Sequence, residues 1–202
     1  MIRAIIFDVD GVLLDNRSDV IKVFQETGRR LDLKIPSVPE IKSNFGLPWE
    51  EMLTNLFGKT DKNIMDVFLR TWEEFEGNMK IMDDTEYVLE RLKIRKAIMT
   101  SKPKTILEKQ LGKLMKFFEV VVSKEDTSRH KPNPEPLLLA CKKLGISPEE
   151  AVYIGDTIID CQASKSAGMS FIGFISGSAT EKEFEDRKVK YTASLKDLLS
   201  EF

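Results

Sequence analysis

Ile2-Arg3-Ala4-Ile5-Ile6-Phe7-Asp8-Val9-Asp10-Gly11 is the stretch on which the fold turns. An apolar run this short, closed by acids and a glycine, predicts a strand buried on both faces of a parallel sheet. Alternation along a strand sends Asp8 and Asp10 out of its carboxyl end on the same side. Gly11 then frees the chain to turn sharply. Open α/β sheets bind their ligands at that edge. The plainer alternative is a pair of acids that caps or solvates a strand end.

Beyond Gly11 the chain turns helical. Asn16 or Ser18 is placed to cap a helix carrying Val20, Ile21, Val23 and Phe24 at helical spacing. Pro36 and Pro39 punctuate the next stretch, and a short helix from about Glu40 stops at Gly46. Pro48 opens a helix over 49–57, and another runs over about 62–76 until Gly77. Residues 16–80 carry no convincing strand. From Asp84 onward helix and strand alternate, with strands expected at 96–100, 118–122, 151–154 and 170–175. Such alternation predicts an α/β fold, a doubly wound parallel sheet. Residues 1–15 and 81–202 form that core, and 16–80 is an all-helical domain inserted after the first strand.

The bulk composition narrows the partners. At 42% hydrophobic and 32% charged residues, with a net charge of −2, the chain has the make-up of a soluble globular protein. Its cations are spread along the chain, which argues against a nucleic-acid or anionic-membrane partner. The first apolar run is too short for a signal-peptide core, and no stretch is long enough to span a bilayer. A cytoplasmic protein is expected. Cys141 and Cys161 are the only cysteines, and each falls in a predicted helix as a small buried apolar residue.

Each of the first four strands ends in polar residues. The first ends in Asp8 and Asp10, the second in Thr100-Ser101, and the third leads to His130-Lys131-Pro132. The fourth ends in Gly155-Asp156-Thr157, with Asp160 four residues beyond Asp156. A parallel sheet gathers these ends into one pocket of carboxylates, a hydroxyl and an ammonium. Acids crowd in this way around a hard divalent cation, and Mg²⁺ suits an all-oxygen set. Asp156 and Asp160, one helical turn apart, can face the same ion. His130 is the only histidine and has no cysteine near it, so zinc is not expected. Lys131 and the Thr100 hydroxyl suit an anion rich in acceptor oxygens, namely a phosphoryl group. A carboxylate beside the cation can then attack phosphorus.

At this point the chain resembles the haloacid dehalogenase (HAD) superfamily, in the branch similar to phosphoglycolate phosphatases. Asp8-Val9-Asp10-Gly11-Val12 matches the first family motif, and the strand ending in Thr100 matches the second. Lys131, within Lys-Pro-Asn-Pro-Glu-Pro, matches the third, and Gly155-Asp156-Thr157-Ile158-Ile159-Asp160 the fourth. The resemblance implies a Rossmann-like core with a helical cap over 16–80, hinged at Asp15 and Asn16. It implies Asp8 as nucleophile and Asp10 as general acid/base. Mg²⁺ is implied on Asp8, the Asp10 carbonyl and Asp156, with Asp160 supporting the metal shell. Thr100 and Lys131 are implied to bind the phosphoryl group of a small phosphorylated metabolite or pyrophosphate. Ser101 either adds its backbone N–H to that group or simply begins the next helix.

One departure is His130, where many relatives carry glycine before the lysine; satisfying loop hydrogen bonds is its plainer role. Phe45 and Trp49, beside the Gly46–Pro48 turn, are either cap core or cap residues that face the site. A phosphomutase of the β-phosphoglucomutase type resembles the chain almost as well, but no residue set in 16–80 marks a second phosphate site. A dehalogenase is disfavoured by Asp10. A receiver-like signalling module is disfavoured by the Asp-x-Asp spacing, the insertion and Asp160. An inactive, binding-only relative is disfavoured because every expected catalytic residue type is present.

Overall fold

The structure, a computed structural model, describes residues 1–202. Strand β1 (Ala4–Phe7) is buried at every position. Ile5 and Phe7 enter one apolar cluster, while Ala4 and Ile6 enter a second on the opposite face. Burying a side chain of the Ile or Phe class contributes about 1.5–3 kcal/mol, so this short strand anchors both layers at once.

Two short strands, β2 (Leu14–Asp15) and β3 (Lys80–Ile81), pair antiparallel. The remaining strands are β4 (Arg95–Met99), β5 (Val120–Val122), β6 (Ala151–Gly155), β7 (Ser170–Phe174) and β8 (Lys190–Thr192). With β1 they form a six-stranded sheet in the order β5-β4-β1-β6-β7-β8, parallel at every pairing. The chain winds outward from β1 first through β4 and β5, then through β6, β7 and β8. The order therefore reverses at β1, where open α/β sheets form their ligand crevice. This is the doubly wound core that the alternation predicts.

Helices cover both faces. Helix α5 (Thr85–Arg91), α6 (Lys104–Leu111) and the C-terminal α10 (Leu198–Glu201) lie on the Phe7 face. On the Ile6 face lie α7 (Glu135–Leu144) and α8 (Ile158–Ser166), which bring both cysteines in from the surface. A short α9 (Glu181–Glu185) packs Phe184 beside β7, where Gly173 leaves no room for a Cβ.

The segment between β2 and β3 folds on its own core. Helix α1 (Arg17–Arg30) buries Val20, Val23, Phe24 and Thr27, and α4 (Lys62–Glu76) buries Ile64, Phe68, Thr71 and Trp72. The first set is spaced i, i+3, i+4, i+7 and the second i, i+4, i+7, i+8, each the pattern of one helical face. Between them lie α2 (Val38–Lys42) and α3 (Trp49–Phe57), which add Ile41, Trp49, Met52 and Leu53. Trp49 packs on Trp72 with centroids 4.5 Å apart. The caps are local. Ser37 and Glu40 form a capping box at α2, and Asp61 accepts from the Ile64 N–H at 3.0 Å to start α4.

The expected absence of strand in 16–80 fails at its last residue, because Lys80 pairs with Asp15 in the β2–β3 ribbon. That ribbon ties the two chain crossings together, and the Met82 N–H donates to the Leu13 carbonyl at 2.9 Å. Two-residue strands carry no periodicity to read. The same holds for β8, whose three residues expose Lys190 and bury Thr192.

Candidate active site

Register brings the strand ends together. Phe7 pairs with Ile98 on one side and Ile154 on the other. Asp8, one residue beyond, and Thr100 and Asp156, two residues beyond, therefore meet at the carboxyl edge. The Asp8 N–H donates to the Ile154 carbonyl at 2.8 Å, and the Thr100 N–H to the Val122 carbonyl at 3.0 Å.

Asp8 is 3% exposed, and its Oδ2 lies 3.1 Å from Lys131 Nζ. Burial pushes its carboxyl up to about 7; Lys131 opposes the rise, while Asp160 and Asp156 reinforce it. Lys131 is itself buried and donates to Asp160 Oδ1 at 2.7 Å and to the Tyr153 hydroxyl at 3.2 Å. Burial works against its charge, but Asp160 and Asp8 outweigh burial and hold the ammonium above the ordinary lysine range. Tyr153 in turn donates to Asp160 Oδ1 at 3.0 Å. The other Asp160 oxygen accepts from the Thr157 N–H at 3.0 Å and hydroxyl at 2.6 Å, so the acid also serves the capping box that starts α8. Burial raises the Asp160 carboxyl, yet Lys131 and Thr157 hold it below the usual carboxylate range.

Asp10 lines the same cavity as Asp8 but has different partners. Its Oδ1 lies 2.7 Å from Lys102 Nζ and also accepts from the Asn16 amide. Burial is overcome by Lys102 and Arg17, which keep its carboxyl low. Its backbone carbonyl accepts from Arg17 Nη2 at 2.6 Å. Asp156, with no exposed surface, takes Arg17 Nε on Oδ2 at 2.8 Å and Nη2 on Oδ1. Ser176 at 2.9 Å and Ser178 add their hydroxyls to Oδ2.

Asp8, Asp156 and Asp160 each offer a buried carboxylate oxygen, all within 4.8 Å of one another. The donor set is wholly oxygen, with no thiolate or imidazole, and fits a hard divalent cation.

A cavity of about 30 Å³ adjoins these groups. Its polar wall carries Asp8, Asp10, Thr100, Ser101, Lys102 and Lys131, and its apolar wall comes from α1, α3, α4 and the 45–47 turn. Thr100 is 4% exposed, and its hydroxyl accepts from the Lys102 N–H at 3.2 Å. Ser101 spends its hydroxyl on the Gly46 carbonyl at 2.7 Å, a bond between the sheet edge and the helical segment. Gly46 sits at φ +100, and a Cβ there would come within 3.1 Å of Thr157 Oγ1. Phe45 and Trp49 do both things the sequence leaves open, being buried in the helical core and lining the cavity. His130 is half-buried in the loop before Lys131, and its carbonyl accepts from the Asn133 N–H at 2.8 Å.

Among the residues at the site that stand outside the sequence pattern are Arg17, Lys102 and Tyr153. Lys102 carries a faint signal, a cation in Thr100-Ser101-Lys102-Pro103 at a strand end. The other two carry none, since Arg17 opens an amphipathic helix and Tyr153 is one of a run of apolar strand residues.

The model of the haloacid dehalogenase-like hydrolase family matches residues 5–174. The chain is 34% identical to PpaX of Clostridium perfringens, over 86% of this chain and 84% of that one. It is 32% identical to the pyrophosphatase PpaX of Bacillus pumilus, over 98% and 95% of the two chains. A hydrolase from Pseudomonas syringae of known structure superposes with a TM-score of 0.85 at 26% identity, covering 98% of this chain and 96% of that one.

Proposed function

Because this chain belongs to the haloacid dehalogenase-like hydrolase family, we propose that it is a Mg²⁺-dependent phosphatase working through an aspartyl phosphate on Asp8. Its substrate is a small phosphorylated metabolite or pyrophosphate, the latter favoured by the name of the Bacillus pumilus relative. One observation carries the proposal: the buried Asp8 carboxylate lies 3.1 Å from an equally buried ammonium, at the wall of a small cavity.

Lys131 and the Thr100 hydroxyl hold the phosphoryl oxygens, and an Asp8 oxygen attacks phosphorus as the bond to the leaving group breaks. Asp10, which must first be protonated against the pull of Lys102 and Arg17, hands a proton to the departing oxygen and then takes one from the water that hydrolyses the acyl phosphate. Asp160 and Tyr153 keep Lys131 aimed at the reacting group. Asp8, Asp156 and the Asp10 carbonyl would hold Mg²⁺, with Asp160 in support. When bound, the ion offsets negative charge on the transferring group.

Residues 16–80 act as a cap that excludes water and selects the leaving group. The support is their separate apolar core and the bond between Ser101 and Gly46, which both line the cavity. No helix is long and apolar enough to cross a membrane, and we place the enzyme in the cytoplasm, without a nucleic-acid or membrane partner.

The test is a panel of phosphorylated metabolites with pyrophosphate and p-nitrophenyl phosphate, scored by phosphate release with Mg²⁺. Turnover of at least one compound, lost in Asp8→Asn, is expected. No release from any of them by the folded protein contradicts the proposal.

A further inference from the structure

The guanidinium of Arg17 takes up the oxygen atoms that the proposed metal needs. Nε donates to Asp156 Oδ2 at 2.8 Å, Nη2 donates to Asp156 Oδ1, and the same Nη2 donates to the Asp10 carbonyl at 2.6 Å. Asp156 is fully buried, and only 10% of the Arg17 side chain is exposed. This is a bidentate pair between a planar fork and a carboxylate, placed where two of the three proposed metal ligands converge.

Steric evidence supports the fit. A Cβ on Gly11, which sits at φ +76, would collide with Asp156 Oδ2 and lie 2.6 Å from Arg17 Nε. Glycine there leaves room for a cationic group against Asp156. The guanidinium also lies over the Phe45 ring, 4.5 Å from its centroid, so it has a second partner in the helical segment.

We propose that Arg17 is the resident counter-cation of the metal site and is exchanged for the divalent ion. The inference rests on the metal reading given above and goes one step beyond it. Asp8, Asp156 and Asp160 are three buried acids, and Lys131 pairs with Asp8 and Asp160 but not with Asp156. Arg17 supplies a further positive charge to a carboxylate that would otherwise be buried without a cation, which is costly. A dication at Asp156 and the Asp10 carbonyl would claim the oxygens Arg17 holds and repel it at short range. The two cations are therefore alternatives. Because Arg17 opens α1, the exchange releases one of the ties between the cap and the sheet edge.

The test is calorimetric titration of the full chain with Mg²⁺, comparing wild type with Arg17→Met and with Asp156→Asn as a non-binding control. Removing the internal competitor should tighten Mg²⁺ binding at least tenfold. The metal-free variant should melt lower than wild type and gain more from added Mg²⁺. Equal or weaker Mg²⁺ binding by folded Arg17→Met overturns the exchange while leaving the metal site standing. Binding by neither protein overturns the metal reading, and the exchange with it. Wild type supplies a measurement that needs no variant: the Arg17 Nε–H NMR resonance should be exchange-protected without Mg²⁺ and lose that protection at saturation. Protection that persists at saturating Mg²⁺ also overturns the exchange.

Discussion

Lys102 Nζ lies 2.7 Å from Asp10 Oδ1 with its side chain wholly enclosed, also donating to Gln110 and facing the Trp72 ring at 5.2 Å. A lysine just beyond the end of β4 thus holds the acid proposed to move protons. Lys102→Met should leave the Asp10 carboxylate bonded only to Asn16 and free to leave its position. Positioned acid/base groups contribute about 10²–10⁴-fold, so losing the position but not the acid should cost roughly 10–10²-fold in kcat. Steady-state kinetics on p-nitrophenyl phosphate, with a melting curve to confirm the fold, check this. An unchanged kcat would release Lys102 from the assignment.

Lys131 is expected to matter for folding as well as for turnover. Its ammonium is the shared cation of Asp8 and Asp160, and all three are buried. Breaking a buried pair on one side costs about 3–5 kcal/mol. For a chain of this size that lowers Tm by roughly 6–20 °C. Lys131→Met should show this fall together with loss of activity, whereas a loss of activity at unchanged Tm would mean the ammonium is not needed by its neighbours.

Hard oxygen ligands set the metal response. Activity should vanish in EDTA and return with Mg²⁺, and Ca²⁺ should inhibit, because it prefers more ligands and looser geometry than an in-line attack tolerates. Phosphate release after exhaustive dialysis against EDTA is the measurement, and full activity there would rule the metal out.

The thiols offer a check on packing away from the site. Burial pushes the Cys141 thiol up to about 11, with Glu149 adding to the rise, and burial raises Cys161 too. A raised thiol stays protonated and unreactive at higher pH than usual. At pH 8 the native protein should react slowly with a disulfide reagent, and the unfolded chain should titrate both thiols at once. Fast labelling of the native form would mean that α7 or α8 does not pack as described.

The acids of the site are legible in the sequence because each follows an apolar strand, and parallel strands can only bring such ends to one edge. The helices of the inserted segment are legible because Val20, Phe24, Phe68 and Trp72 keep helical spacing. Arg17 is not legible. An arginine in the first turn of an amphipathic helix normally faces water, and only the folding of α1 over the sheet edge brings it to Asp156, 139 residues away. Tyr153 is hidden for a similar reason, since its hydroxyl is spent inside the site while its ring packs in the Ile6-face core. The β2–β3 ribbon and β8 are too short to carry a period, so their pairing is fixed by the long-range closure of the chain.

The central claim is that Asp8 takes the phosphoryl group and Asp10 moves protons. Rapid-quench kinetics with intact-mass spectrometry on p-nitrophenyl phosphate tests it most directly. Nitrophenolate leaves almost without a proton, so Asp10→Asn should still complete the first step. A burst of about one nitrophenolate per site should give way to slow turnover, with phosphate left on Asp8; the later step should slow by the ~10²–10⁴-fold typical of a lost base. Asp8→Asn should show neither burst nor phosphorylated protein. A burst from Asp8→Asn with none from Asp10→Asn would contradict the account and reverse the two roles.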